Sequence, residues 1–232
     1  MEPIFRAVLK GREEVAQLLR SSPDCARVRM SADELVKSIP HWLYIGDTSL
    51  HLAAAALRPE EAQLLLQAGA DPNAENRRGA TPLHYCCDPR PQAGPWSREA
   101  QTRVIRLLVK HGADLDRPDR GGATPLHRAV RARSPGAVRQ LLELGARVDC
   151  RLKKGGSSPL HLAVQPTGAG GTAGAINEQL EIIAILLQGG ADRALGDATG
   201  RTPRDWARSE RILLALNGSA EQAARSRQGS RL

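Results

Sequence analysis

The chain has 232 residues, 41% of them hydrophobic and 25% charged, an ordinary balance for one or two soluble globular domains. Its only aromatic residues are Phe5, Trp42, Tyr44, Tyr85, Trp96 and Trp206, so the core must be built mainly from Ala, Leu, Val and Ile, which argues against a β-sandwich or an aromatic RNA-stacking sheet. The formal net charge is +8, and no apolar run approaches the ~20 residues that span a bilayer.

The N-terminal stretch, MEPIFRAVLKGREE, has an early acid and no long apolar segment, so it is not read as a secretory signal; a cytoplasmic protein without a membrane segment is expected. Residues 2–20 read as a short pair of helices. Residues 31–47, SADELVKSIPHWLYIGD, follow as an apolar insert carrying Trp42, Tyr44 and Ile45. Then the sequence repeats itself. Thr48-Ser-Leu-His51, Thr81-Pro-Leu-His84, Thr124-Pro-Leu-His127 and Ser158-Pro-Leu-His161 align, with Thr202-Pro-Arg-Asp205 as a worn fifth copy. Successive Thr/Ser positions lie 33, 43, 34 and 44 residues apart. Gly-Ala-Asp or Gly-Ala-Arg follows each of the first four, at Gly69, Gly112, Gly145 and Gly190.

These residue types dictate local structure. Thr or Ser before Pro is an N-cap followed by a residue suited to the first helical position. His three residues later stands where a capping box reaches back. Leu50, Leu83, Leu126 and Leu160 then face a core, and Leu-rich second helices end at glycines able to adopt the left-handed conformation. The period and the T-P-L-H-x-A pattern resemble the ankyrin repeat family over residues 46–216. The resemblance implies an all-α solenoid of helix-turn-helix repeats with short β-turn fingers, capped at both ends. The expected division is an N-terminal capping pair in 1–30, the aromatic insert or finger in 31–47 and four repeats in 48–199. Those repeats carry inserts at 88–97 and 166–177; a C-terminal cap in 200–216 and a disordered tail in 217–232 complete the chain.

Signals for chemistry are weak. Gly168-Ala-Gly170-Gly-Thr-Ala173 matches a dinucleotide fingerprint literally, but a helix rather than a strand precedes it. The four cysteines form no CxxC and fit a reducing compartment; Cys86 and Cys87 read as core fillers. His41 is the one histidine without a structural explanation. No catalytic, metal or cofactor site is expected. The rival enzyme reading would place Cys87 or His41 in an insert-lined pocket.

Residues 103–154 hold 13 Lys/Arg against 5 Asp/Glu, and the rest of the chain is balanced. The family's usual binding surface comprises finger tips and first helices. Carried onto this sequence, it selects Arg77, Arg78, Arg120, Arg128, Arg131, Arg133 and Lys154, with Trp42, Tyr44, Ile45, Tyr85 and Trp96 as anchors. Arginine and aromatic side chains make interface hot spots. The expected function is a non-enzymatic module that binds an acidic or acidic–apolar protein surface as scaffold, adaptor or inhibitor, and is a monomer on its own. Nucleic acid is disfavoured, because the basic patch lacks regularly interleaved aromatics. With 28 arginines against five lysines and many Ala and Gly, a GC-rich bacterial genome is expected.

Overall fold

The computed structural model describes residues 1–39, 41–88, 97–166 and 175–218. The chain forms two compact units, Met1–Arg120 and Gly121–Leu232. In the first unit, α1 (Pro3–Lys10) and α2 (Arg12–Ser21) precede a 3-10 turn, a two-stranded hairpin of β1 (Glu34–Val36) and β2 (His41–Leu43), and the helices α3 (Ser49–Ala55), α4 (Pro59–Gln67), α5 (Pro82–Cys87) and α6 (Arg98–Lys110). The second unit holds α7 (Pro125–Arg131), α8 (Pro135–Glu143), α9 (Pro159–Val164), α10 (Ile176–Gln188), α11 (Pro203–Trp206) and α12 (Glu210–Leu216). Helices pair within repeats and stack on the next: α3 on α4 and α5 in the first unit, α7 on α8 and α9 in the second. No helix among the described residues is long and apolar enough to cross a membrane. Residues 89–96, with Trp96, and 167–174 fall outside the described residues, as does the tail beyond residue 218.

The motif residues act as their chemistry requires. Each of Thr48, Thr81, Thr124 and Ser158 forms a capping box with the His three residues on, and Thr202 does so with Asp205. The backbone N–H of Thr48 donates to His51 Nδ1 at 3.0 Å, and Ser158 N–H to His161 Nδ1 at 3.2 Å. Nδ1 is therefore an acceptor, and the proton must sit on Nε2. Nε2 donates onward to the residue before the next cap: His51 to Ala80 O at 3.1 Å, His127 to Ser157 O at 3.4 Å and His161 to Arg201 O at 2.9 Å. One imidazole thus caps its own helix and ties down the next finger. Leu50, Leu83, Leu126 and Leu160 are fully buried beneath, each worth about 1.5–3 kcal/mol of transfer free energy.

Fingers are also joined by single backbone bonds. Arg77 N–H donates to Ile45 O at 2.8 Å and Arg120 N–H to Arg78 O at 2.9 Å; in the second unit Lys153 N–H donates to Gly121 O at 3.0 Å. That approach needs glycine at 122, where φ is +85° and a Cβ would stand 2.4 Å from Lys153 N. Gly69, Gly112, Gly145 and Gly190 follow their helices at φ between +83° and +98°, in the left-handed conformation.

The hairpin is a departure from plain fingers. Leu35 pairs with Trp42, Glu34 with Leu43 and Val36 with His41. Period-two alternation buries Val36 and Leu43 and turns Leu35 and Trp42 outward together.

Candidate protein-interaction surface

At the finger edge of the first unit, the insert is fixed by a buried carboxylate. Asp47 is fully buried. Its Oδ2 accepts from Tyr44 N–H and from the Tyr85 hydroxyl, both at 2.6 Å, and its Oδ1 accepts from Asn76 Nδ2 at 2.9 Å. Asn76 Nδ2 also donates to the Tyr85 oxygen at 3.0 Å, and Asn76 Oδ1 accepts from Arg78 and Ala80 N–H. Each polar atom of this knot has a partner, which is what makes burying a charge tolerable. Burial, then the Asp47 charge, pushes the Tyr85 hydroxyl far above the ordinary phenol value.

The knot holds Tyr44 at the surface, half-buried, with Arg78 4.4 Å and Arg77 5.4 Å from its ring centroid. Cation–π contact of this kind is worth about 0.5–1 kcal/mol at exposed sites. The two arginines differ. Arg77 Nη2 is ion-paired with Asp33 Oδ2, while Asp33 Oδ1 accepts from Ile45 N–H at 2.9 Å. Among the described residues, the side chains of Arg78 and Arg120 make no hydrogen bond or ion pair, and both are exposed. The insert of the same unit exposes Leu35 and Trp42, paired across the hairpin and 41% and 45% exposed, and Ile45, 44% exposed.

Two expected contact residues are elsewhere. Tyr85 is 5% exposed: the insert places His41 4.6 Å from its ring centroid, and His51 of α3 lies 5.1 Å from it. Its hydroxyl is engaged by Asp47. Arg133, in the second unit, is 6% exposed. It takes φ +55° after α7 and donates through Nη1 to Ala163 O at 3.2 Å and through Nη2 to Gln165 O. Its guanidinium caps the carbonyl end of α9, and burial lowers its pKa. Arg131 and Lys154 of that unit are exposed, and Arg128 is half-buried. Trp96 lies outside the described residues. Reading the sequence missed Leu35, Asp33 and the exposed Lys153; the three residues Glu34-Leu35-Val36 are too few for an alternating pattern to single out Leu35.

The residues of the enzyme reading are structurally employed. Cys86 and Cys87 are fully buried in α5, and burial pushes the Cys87 thiol well above its ordinary value, which suppresses a thiolate. His41 packs on Tyr85. No group of His, Cys, Asp and Glu among the described residues could hold a metal ion.

Comparison with known proteins agrees with this architecture. Family models described as ankyrin repeat match residues 45–77 and 78–120, and one described as ankyrin repeats (many copies) matches 108–163. A 44-residue stretch is 54% identical to human Neurogenic locus notch homolog protein 4, covering 19% of this chain and 2% of that protein. Pig NF-kappa-B inhibitor alpha is 48% identical over 44 residues, 19% of this chain and 14% of the inhibitor. Drosophila melanogaster Neurogenic locus Notch protein is 56% identical over 39 residues, 17% of this chain and 1% of that protein. The chain therefore matches only a small part of the length of these relatives. The capping boxes, the histidine ties and matches that together run from residue 45 to residue 163 place this chain in the ankyrin repeat family.

Proposed function

We propose that the chain is a non-enzymatic interaction module whose finger edge, in the first unit, takes a protein surface with an apolar centre and acidic surroundings. Ankyrin repeats generally mediate protein–protein interaction. The observation that carries the finer reading is Arg78 stacked on Tyr44 with no acid paired to it among the described residues, in the unit that exposes Trp42, Ile45 and Leu35. A carboxylate arriving there would meet an oriented guanidinium, and its apolar neighbours would cover the hairpin. Arg120 extends the cationic margin of the same unit; Arg131 and Lys154 give the second unit its own. Arg77, committed to Asp33, would shape the site. The mode of action would be masking or scaffolding, and one relative bears the name of an inhibitor. In a bacterial host this would suit an inhibitor or immunity protein for an enzyme.

The test is a pull-down from lysate of the source organism, comparing wild type with Arg78→Glu/Arg120→Glu and with Trp42→Ala. A protein partner lost by both variants is the expected result. A partner retained by both would overturn the finger-edge assignment. Co-purified nucleic acid with no protein partner would replace the reading by nucleic-acid association.

A further inference from the structure

The second unit contains a cleft that the finger-edge reading does not use. It lies where α9 ends, α10 begins and α11 turns into α12. One cavity of about 260 Å³ has an aliphatic wall of Val164, Pro166, Ala175, Ile176 and Ile212. A wider and more polar one of about 390 Å³ is lined by Gln165, Arg201, Asp205 and Trp206. Pro166 and Arg208 line both, so the two adjoin.

The charges of this cleft are unequal in their commitments. Asp205 is the only acid among the described residues that lines it, and one of its carboxylate oxygens is already used: Oδ2 accepts from Thr202 N–H at 2.7 Å and from Thr202 Oγ1 at 2.8 Å. Arg201 is paired with Asp197 at 3.3 Å and lies 5.2 Å from the Trp206 ring centroid. Arg133 is spent on the carbonyls of Ala163 and Gln165. Arg208, at the junction of the two cavities, makes no hydrogen bond or ion pair among the described residues. Ser209 beside it accepts from Ile212 N–H at 3.4 Å, and its own hydroxyl proton has no acceptor among the described residues. Among the described residues, two donors without acceptors thus line the aliphatic slot.

We infer that this cleft binds the C-terminal residue of a partner polypeptide, with its aliphatic side chain in the smaller cavity and its carboxylate on Arg208 and Ser209. The terminal residue of a chain is the unit of protein chemistry that carries an aliphatic group and a carboxylate on one carbon. The wider cavity, past Arg208, gives the preceding residues a route across the Trp206 face. A guanidinium paired with a carboxylate supplies orientation as well as attraction, and the slot supplies selection by size and polarity. The cleft is independent of the finger-edge proposal, and either can fail alone.

The test uses the full chain and fluorescein-labelled hexapeptides, Gly-Ser-Ala-Ala-Val-X, with X as Leu, Ile, Val, Met, Asp or Lys, read by fluorescence polarisation. Saturable binding is expected for aliphatic X and at least tenfold weaker binding for Asp or Lys. Amidation of the C-terminus, Arg208→Gln and Ile176→Trp should each weaken binding about tenfold or more, while Arg78→Glu leaves it unchanged. Thermal melts of the variants check folding; Arg208 is exposed, so its variant remains informative if Ile176→Trp does not fold. Equal binding of the amide, insensitivity to Arg208→Gln, or no binding at millimolar protein would overturn the proposal. Competition by hexanoate with no gain from a peptide would assign the cleft to a free aliphatic acid and overturn the polypeptide reading.

Discussion

The first and last fingers solve the same problem in opposite directions. Each buries an aspartate near an aromatic ring and an arginine. In the first unit, Asp47 is satisfied by Tyr85, Asn76 and the backbone of Tyr44, which leaves Arg78 on the outside of Tyr44. In the second, Asp197 accepts from Thr199 and from Trp206 Nε1 at 3.0 Å, and pairs with Arg201. There the arginine is drawn into the knot, and the ring is held by its N–H. The difference teaches that an arginine at a finger is not by itself a binding residue. What matters is whether an acid lies within reach of its guanidinium, as Asp197 does for Arg201.

The largest effect should come from removing the hub. Asp47→Ala leaves the Tyr85 hydroxyl and the Tyr44 amide without their acceptor and removes one of the two that Asn76 Nδ2 has, and about 3–5 kcal/mol of stability should be lost in urea unfolding. A loss under 1 kcal/mol would show that the first finger does not depend on its carboxylate. Next is His127→Ala in the second unit, which removes a cap and an inter-finger bond together; about 2–3 kcal/mol is expected by the same measurement.

The two arginine types sharpen the contrast further. Arg133→Ala should cost about 1–3 kcal/mol, since a buried charged donor leaves two carbonyls. Arg78→Ala should change stability by less than about 0.5 kcal/mol while weakening partner binding. Equal effects of the two on stability would erase the distinction.

Acid should separate the units more gently. Burial holds His51 below the ordinary imidazole value near 6.5 despite the opposing pull of Asp47. The unfolded chain therefore takes that proton first, and the contribution of His51 is whole above about pH 6.5 and lost as pH falls below it. Hydrogen bonds from Thr199, aided by those of Arg201 and Trp206, hold Asp197 well below its ordinary value of 3.8. Its contribution is whole above about pH 4 and is lost only as pH falls further. Urea midpoints followed from pH 8 to pH 3 should show the first decline absent in His51→Gln and the second absent in Asp197→Asn.

Much of this architecture was legible. Thr124 and His127, three residues apart, already contain the capping box, and Gly145 contains the helix stop. Two site residues were misplaced for a physical reason each. Tyr85 occupies a first-helix position after its histidine, but a segment 44 residues upstream covers it through His41. Arg133 precedes Ser134-Pro135 as Leu57 precedes Arg58-Pro59, and both take positive φ. The turn that this requires carries the side chain under α9, which charge counting along the chain does not reveal. The hairpin was missed because each strand has three residues, too few for a period-two pattern to stand out.

The histidine ties have a spectroscopic meaning. His51, His127 and His161 each hold an Nε2 proton against a main-chain oxygen in the interior. Protons so placed exchange slowly with solvent and resonate away from the amide envelope, and each belongs to a different repeat. Watching them vanish one by one in a denaturant series would report the order in which neighbouring repeats come apart, without a label or a mutation.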